Sequence, residues 1–430
     1  MSISSVINVK TPLHDSLIYI FKVDFYAFRI GITFEGMQTK SIKLQRGREQ
    51  SVLRHHPWIF SRAIQSSVDA ITDGDTVQVL DSRENILGVG HFQNSSLSVR
   101  MLAFEATDID DAFWERKINA AAQYRNDLAI YKPGITDTFR LIHGEGDQLP
   151  GLIIDVYNDT AVLQAHSIGM HLARHQITEA ILKLAHPAIK SVYCKSKDSL
   201  PNEYAANITD EWLTAEEKNM IVVSEGGIKY LIDVVSGQKT GFFLDQRDNR
   251  DLVRRYSNNA SVLNCFCYSG GFSLNALKGG AEKVISIDSS AVALDMLEKN
   301  LALNHDSAPH HSIKENVLTY LTNHDEQYDI VIIDPPAFAK SLSKRHNAIQ
   351  AYKRLNMLAI ARVKKSGMLF TYSCSQVVDR TMFHNTVVAA AIESGRMAHI
   401  AHEMSQGPDH PVSIFHPEGN YLKGLALYMD

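Results

Sequence analysis

An acid and two prolines stand where a predicted strand ends in the C-terminal half of the chain. The strand covers about 328–334 and delivers Asp334 into a turn made by Pro335 and Pro336, with Phe338 close behind. Proline fixes the backbone angle φ, so this turn is rigid. A rigid turn that carries a carboxylate and an aromatic ring is suited to holding a nucleobase that has been flipped out of a nucleic acid. We therefore interpret Asp334 as a functional acid rather than as the mere end of a strand.

A cysteine follows a second predicted strand, at 367–374. Cys374 lies between two serines, and a thiol in a loop at the end of a strand can act as a nucleophile once it is ionised. The other cysteines show no metal-ligand spacing, so we predict no metal site and expect small buried side chains at Cys194, Cys265 and Cys267.

A glycine-containing loop follows a third predicted strand, at 261–266. The loop contains Ser269 and Gly270, and glycine lets a ligand approach the backbone closely. It lacks the Gly-x-Gly-x-x-Gly pattern, which disfavours a dinucleotide. Asp288 ends the next predicted strand, where an acid can accept hydrogen bonds from the ribose hydroxyls of an adenosine. A tight turn that caps a helix remains the alternative for this loop taken alone.

Strands and helices alternate from about residue 226 onward. Besides the three strands above, we predict strands at 283–288, 397–404 and 423–429, and helices from near 273 and at 291–303, 349–363 and 379–394. This alternation is typical of a doubly wound, mostly parallel α/β sheet, in which ligands bind beyond the carboxyl ends of the strands. The acid, the cysteine and the glycine loop therefore fall at one edge of one predicted sheet.

The first half of the chain is organised differently. Short strands with turn signals between 40 and 105 suggest a small β-barrel, a helix is predicted at 111–130, and 138–225 mixes strands with a helix. We predict an extension without clear structure, a β-barrel domain, a central α+β domain and an α/β domain, at 1–36, 37–110, 111–225 and 226–430.

The composition is that of a soluble globular protein, with 45% hydrophobic and 21% charged residues among 430. The most apolar early run, 17–32, is interrupted by Lys22, Asp24 and Arg29, which disfavours a transmembrane helix or a signal peptide. We therefore expect a cytoplasmic location, no membrane partner and reduced thiols.

Two basic strips stand out against the net charge of −5. The first, 40–62, holds six basic residues and one acid, and the second, 340–365, holds eight basic residues and no acid. Strips of this kind can bind a polyanion even on an acidic protein, because the local field decides contact. The alternative is that both strips are ordinary solvated surfaces. We favour RNA binding, because each strip lies beside a motif: 48–64 for the first strip, and the turn at Asp334 for the second.

Longer motifs resemble one family in order along the chain. The sequence resembles class I S-adenosylmethionine-dependent RNA methyltransferases, most closely the RlmI-type family of large-subunit (23S) ribosomal RNA cytosine-C5 methyltransferases, from about Ile42 to the C-terminus. Residues 48–64 resemble the start of that family's PUA RNA-binding barrel, and 139–152 resemble its central domain. Segments of that family's catalytic domain are similar to 237–247, 409–411 and 421–424 of this chain. The implied fold is a PUA β-barrel, a central α+β domain and a Rossmann-like methyltransferase domain.

The resemblance implies S-adenosylmethionine as cofactor and assigns residues to it. Asn264, Ser269 and Gly270 would line the methionine and adenosine pocket, and Asp288 would hold the ribose. Gln246 and Arg247 would lie near the methionine carboxylate. The chain departs from the family at the adenine amine, where Asn316 replaces the usual acid.

The resemblance also implies a covalent mechanism on large-subunit ribosomal RNA. Cys374 would attack C6 of a cytidine, with Asp334 hydrogen-bonded to the N3/N4 edge of the base. The same turn would contact the substrate through Pro335, Pro336, Phe338 and Lys340. We expect the pKa of Cys374 to lie below about 8.5, in the positive field of Lys239 or Lys340. No second cysteine follows the two prolines to assist release, so another group must remove the C5 proton.

Two other functions stay open at this point. One is a guanine N7 or N2 ribosomal RNA methyltransferase, which needs no thiol, and the other is a non-catalytic RNA-binding assembly factor. The sequence does not decide whether the protein forms a homodimer.

Overall fold

Three β-sheets and one hairpin make up the computed structural model, which describes residues 40–304, 309–339 and 341–430. All of these residues belong to one unit, Thr39–Asp430. The predicted extension 1–36 and the substrate-contact candidate Lys340 lie outside the described residues. No helix in the described part of the chain is long and apolar enough to span a membrane.

The first sheet has five short strands in the spatial order β1-β3-β4-β5-β2. Buried residues of these strands form one small core around Ile42, Val79 and Val99, which agrees with the predicted β domain. The elements are β1 (Ser41–Lys43), α1 (Gln50–Leu53), β2 (Trp58–Phe60), β3 (Thr76–Leu80), β4 (Ile86–Phe92) and β5 (Leu97–Ala103).

The second sheet, β10-β9-β8-β7-β6, packs against a long helix whose N-cap is Asp110, where the carboxylate accepts a hydrogen bond from the Phe113 amide. Its strands are β6 (Thr138–His143), β7 (Leu152–Tyr157), β8 (Thr160–Ala165), β9 (Ser191–Cys194) and β10 (Glu211–Trp212). Its helices are α2 (Asp111–Asp127), α3 (Ile168–Leu172), α4 (Arg174–Leu182) and α5 (Asn202–Ala205). An antiparallel hairpin, β11 (Met220–Glu225) and β12 (Ile228–Asp233), follows.

The third sheet has seven strands in the order β15-β14-β13-β16-β17-β19-β18, and its neighbouring strands are parallel except where β19 pairs antiparallel with β17 and with β18. Its strands are β13 (Ser261–Cys265), β14 (Lys283–Asp288), β15 (His310–Lys314), β16 (Tyr328–Ile333), β17 (Val363–Ser373), β18 (Ala398–Met404) and β19 (Lys423–Met429). Its helices are α6 (Arg247–Tyr256), α7 (Gly271–Lys278), α8 (Ala291–Asn304), α9 (Val317–Asn323), α10 (Arg345–Ala361) and α11 (Arg380–Glu393). The predicted doubly wound α/β sheet is therefore confirmed, whereas the domain limits stay a prediction.

The strand order reverses beside β13, which pairs with β14 on one side and with β16 on the other. In open α/β sheets the crevice at such a reversal, outside the carboxyl ends of the strands, is where ligands bind. The loops after β13, β16 and β17 meet there, because these three strands are consecutive neighbours.

Candidate active site

The glycine loop, the acid and the cysteine lie at the same level of the sheet. Cys265 pairs in register with Ile333, and Ile333 pairs with Thr371. Asp334 therefore leaves β16 level with the loop that follows β13, and Cys374 leaves β17 on the next strand along. The predicted convergence of the three segments at one edge agrees with this register.

The loop after β13 has a strained backbone. Phe266 and Tyr268 have φ of 60° and 47°, and Gly270 has φ of 85°. Two features of Gly270 disfavour a side chain at this position. Its φ lies in the left-handed region, and an added Cβ would lie 1.9 Å from Leu297 Cδ1. Left-handed conformations at residues other than glycine carry strain and cluster at ligand sites.

Buried polar atoms without partners surround this loop. Asn264 Oδ1 and Ser269 Oγ are buried and make no hydrogen bond within the described residues. Asp288 accepts hydrogen bonds from the Tyr268 and Ser290 amides at 3.0 and 2.9 Å, and its carboxylate has further lone pairs to offer hydroxyl groups. An unpaired polar atom in a protein interior costs free energy, so these atoms fit a polar ligand such as S-adenosylmethionine.

Two of the predicted cofactor contacts are engaged elsewhere. The Arg247 guanidinium donates through Nη1 and Nη2 to Asp409, both at 2.9 Å, in a bidentate ion pair. Asn316 Oδ1 accepts from the Leu318 and Thr319 amides and caps α9. Their roles at the methionine carboxylate and at the adenine amine stay predictions, and these hydrogen bonds do not favour them.

Gln246, which was predicted to lie near the methionine carboxylate, contacts Asp334. Its Nε2 donates to Asp334 Oδ2 at 2.9 Å, and its Oε1 accepts from Asn249 Nδ2 at 2.6 Å. Burial, with the nearby Asp245 carboxylate, raises the pKa of Asp334 to about 7. A large part of the Asp334 population is therefore protonated at neutral pH and can donate a hydrogen bond.

Cys374 does not have the lowered pKa that we predicted. Burial, together with the negative charges of Asp334 and Asp245, raises the pKa of the thiol to about 11. The prediction was wrong because burial, together with the charges of Asp334 and Asp245, outweighs the positive charge near the thiol.

The positive charge beside Cys374 belongs to Lys423, not to Lys239. Lys423 is 4% exposed, and its Nζ donates to the Ser375 and Tyr421 carbonyls, both at 2.7 Å. Its charge opposes the rise in the pKa of Cys374. Burial lowers the pKa of Lys423 itself to about 8, although Cys374 acts against this shift.

The turn after Asp334 is partly accessible. Pro335 is buried, Pro336 is exposed, and the half-buried ring of Phe338 packs against Tyr352 with ring centroids 4.6 Å apart. Their contact with a substrate stays a prediction. The three other cysteines, Cys194, Cys265 and Cys267, are buried as expected.

A buried carboxylate links the second sheet to the third. Asp409 accepts from the Arg140 amide at 3.0 Å in addition to its ion pair with Arg247, and its carbonyl accepts from Arg125 at 2.7 Å. His410 and Arg247 hold the pKa of Asp409 well below its usual range, against the effect of burial. The segment entering α6 is thereby fixed beside the Asp334 turn.

Two site residues were missed from the sequence, Asp245 and Lys423. Both lie in segments that match the family motifs, 237–247 and 421–424, but nothing in the pattern of either segment assigns them a role. Their proximity to Cys374 depends on contacts between distant parts of the chain.

Comparison with known proteins gives matches along almost the whole chain. A family model for S-adenosylmethionine-dependent methyltransferases matches residues 175–410, and one for PUA-like domains matches residues 42–104. The chain is 39% identical over 393 residues to Ribosomal RNA large subunit methyltransferase I of Aeromonas salmonicida, covering 90% of this chain and 98% of that protein. It is 37% identical over 390 residues to the protein of the same name in Escherichia coli K12, covering 89% and 98%. A solved structure from Streptococcus mutans, provisionally named a SAM-dependent methyltransferase, shares the fold with a TM-score of 0.76 at 21% identity, covering 91% of this chain and 100% of that chain.

Proposed function

We propose that this chain, which belongs to the family of S-adenosylmethionine-dependent ribosomal RNA large subunit methyltransferases, methylates C5 of a cytidine in large-subunit ribosomal RNA through a covalent adduct with Cys374. The observation that carries the proposal is the position of Cys374. It follows β17, next to the strand that presents Asp334 and at the sheet edge where the glycine loop lies. A methyltransferase that acts directly on a guanine nitrogen needs no thiol at this point.

The chemistry begins at C6 of the cytosine ring. The Cys374 thiolate adds to C6, and the electron pair of the C5–C6 bond becomes available at C5. S-adenosylmethionine would supply the methyl group as an electrophile, with S-adenosylhomocysteine as the leaving group. Loss of the C5 proton then restores the C5–C6 double bond as the carbon–sulfur bond breaks and the thiolate leaves.

Asp334 would stabilise the charge that the addition creates. Attack at C6 moves negative charge towards N3 of the ring, where a protonated carboxyl group can donate a hydrogen bond. The raised pKa of Asp334, about 7, supports this role. Gln246 holds one carboxyl oxygen and leaves the other for the base.

RNA carrying 5-fluorocytidine tests the covalent step. Because fluorine replaces the proton that must leave, wild-type protein should form an adduct that survives denaturation in SDS, and only when S-adenosylmethionine is present. The RNA should be a large-subunit ribosomal transcript, with unsubstituted RNA as the control. Methyl transfer to RNA without any trapped adduct would support the guanine alternative, and no methyl transfer at all would support the assembly factor.

Ion pairs neutralise part of the positive charge of the basic strip 340–365. Within the described residues, three of its basic side chains pair with acids: Lys353 with Glu393, Arg362 with Asp325 and Lys364 with Asp329. Its remaining described charges, which form no ion pair there, are Lys344, Arg345, Arg354 and Lys365. We propose that these contact RNA phosphates.

A second surface for RNA lies on the first sheet. A groove of about 400 Å³ is lined by arginine and aromatic side chains, which include Arg48, Trp58, Phe60 and Arg62. Phe60 is 49% exposed. Aromatic rings between arginines are suited to stacking on unpaired bases, which supports RNA contact through this domain.

We predict that replacing Lys344 and Arg345 with Gln weakens RNA binding and makes it less dependent on salt. Each phosphate interaction that the substitutions remove should lower the slope of log K against log salt by roughly 0.7 to 0.9. The matched control is Lys353→Gln with Arg362→Gln, which removes two charges that are already paired. Equal slopes for the two double variants, measured by fluorescence anisotropy, would contradict the prediction, and cofactor affinity should stay unchanged in both.

A further inference from the structure

One carboxylate oxygen in the site has no partner. Asp245 precedes α6, and its Oδ1 is buried without a hydrogen bond in the described part of the chain. Its other oxygen, Oδ2, accepts from the Tyr421 hydroxyl at 2.6 Å. The hydroxyl fixes the orientation of the carboxyl group and leaves one oxygen free to accept a proton.

Hydrogen bonds connect the surroundings of Asp245 to both proposed catalytic residues. On one side, its neighbour Gln246 donates to Asp334 at 2.9 Å. On the other side, Lys423 Nζ joins the Tyr421 carbonyl to the Ser375 carbonyl, both at 2.7 Å, so the segment that holds Asp245 is tied to the loop of Cys374. The Asp245 charge contributes to the raised pKa of both Asp334 and Cys374, which agrees with this placement.

We propose that Asp245 is the base that removes the C5 proton and releases the methylated cytidine from Cys374. The inference rests on the proposed function and assigns the group that the cysteine chemistry requires. In this step the C5–H bond breaks, its electron pair forms the C5–C6 double bond, and the C6–S bond breaks to regenerate the thiolate. The proton goes to Asp245 Oδ1 and then to solvent, so that no further reactant is needed.

The other groups in the site are poorly suited to this step. Asp334 is assigned to the N3 edge of the base, and protonation at neutral pH makes it a donor. Lys423 donates to two carbonyls, and below its pKa of about 8 it is mostly a cation without a lone pair to accept a proton. The buried Cys267 carries a pKa raised by burial and is not a thiolate.

Asp245→Asn separates methyl transfer from release. The variant should transfer methyl in a first turnover at the wild-type rate or faster, because the Asp245 charge that helps to raise the pKa of Cys374 is gone. It should then accumulate a methylated protein–RNA adduct on ordinary cytidine RNA, because the second step has no base. Steady-state release should fall by roughly 10²- to 10⁴-fold, the usual contribution of a general base. Quenched samples run on SDS gels with labelled cofactor measure both quantities, and equilibrium binding of S-adenosylmethionine checks that the variant is folded. Asp245→Ser is the second variant if the Asn variant does not fold.

Two controls make the outcome decisive. Asp245→Asn combined with Cys374→Ala should form no adduct, and Tyr421→Phe, which frees Oδ2 but keeps the carboxylate, should slow release far less than Asp245→Asn. Wild-type turnover in the Asp245 variants, or equal loss of first turnover and release without any adduct, would overturn the assignment. If wild-type protein still traps 5-fluorocytidine RNA in that case, the cytidine reaction stands and only the role of Asp245 fails.

Discussion

Cys374→Ala should lower RNA methylation by roughly three orders of magnitude or more, because it removes the addition that activates C5. Cofactor and RNA affinity should stay close to those of wild-type protein, since the substitution removes one sulfur atom from a partly buried position. Single-turnover methyl transfer with labelled S-adenosylmethionine measures the rate, and titration calorimetry measures cofactor affinity. The variant should also form no adduct with 5-fluorocytidine RNA.

Cys194→Ala is the matched control for this substitution. Burial raises the pKa of the Cys194 thiol to about 11, as it does for Cys374, but Cys194 lies in the second sheet. The control should methylate RNA at the wild-type rate. Near-normal methylation by Cys374→Ala would exclude the covalent mechanism and make transfer to a guanine nitrogen the leading interpretation.

Lys423→Met should lower methylation at neutral pH by roughly 10- to 1000-fold, because an adjacent opposite charge shifts a pKa by about 1 to 3 units. The Lys423 charge opposes the rise in the pKa of Cys374, so without the ammonium group less thiolate exists below about pH 8, where the wild-type lysine is charged. The ascending limb of the rate–pH profile should therefore move to higher pH, and alkylation of Cys374 by iodoacetamide should show the same displacement.

Lys423→Arg keeps the positive charge and separates this effect from removal of the two hydrogen bonds to carbonyls. Its alkylation profile should stay closer to that of wild-type protein than to that of Lys423→Met. An unchanged profile in Lys423→Met would show that Lys423 only joins the Tyr421 and Ser375 segments. Above pH 8 the wild-type lysine itself loses its charge, so its contribution should decline there.

The third sheet was largely predictable because its inner strands are buried on both faces and read as apolar runs. Strand β15 was missed, since His310 and His311 open it, and only Ile313 is an aliphatic residue. Helix α6 was also missed, because four arginines and two aspartates hide its short apolar stripe. The β11–β12 hairpin went unassigned although Gly226 and Gly227 are a recognised turn signal.

The site residues were predictable only where the local sequence shows both the reactive residue and the strand end that positions it. Asp334, Cys374 and the Gly270 loop follow strands, so the sheet rule brings them together. Asp245 and Tyr421 are 176 residues apart in the chain, and their contact depends on tertiary packing. The pKa of Cys374 was mispredicted for the same reason, since burial and two carboxylates from distant parts of the chain raise it.

Identification of the methylated nucleoside tests the proposed reaction most directly. Wild-type protein is incubated with methyl-labelled S-adenosylmethionine and unmodified large-subunit ribosomal RNA, the RNA is digested to nucleosides, and the labelled product is identified by chromatography and mass spectrometry. The cysteine chemistry predicts 5-methylcytidine as the labelled nucleoside, absent when Cys374→Ala replaces the wild-type protein. Label in N7- or N2-methylguanosine, or no label in RNA, would contradict it.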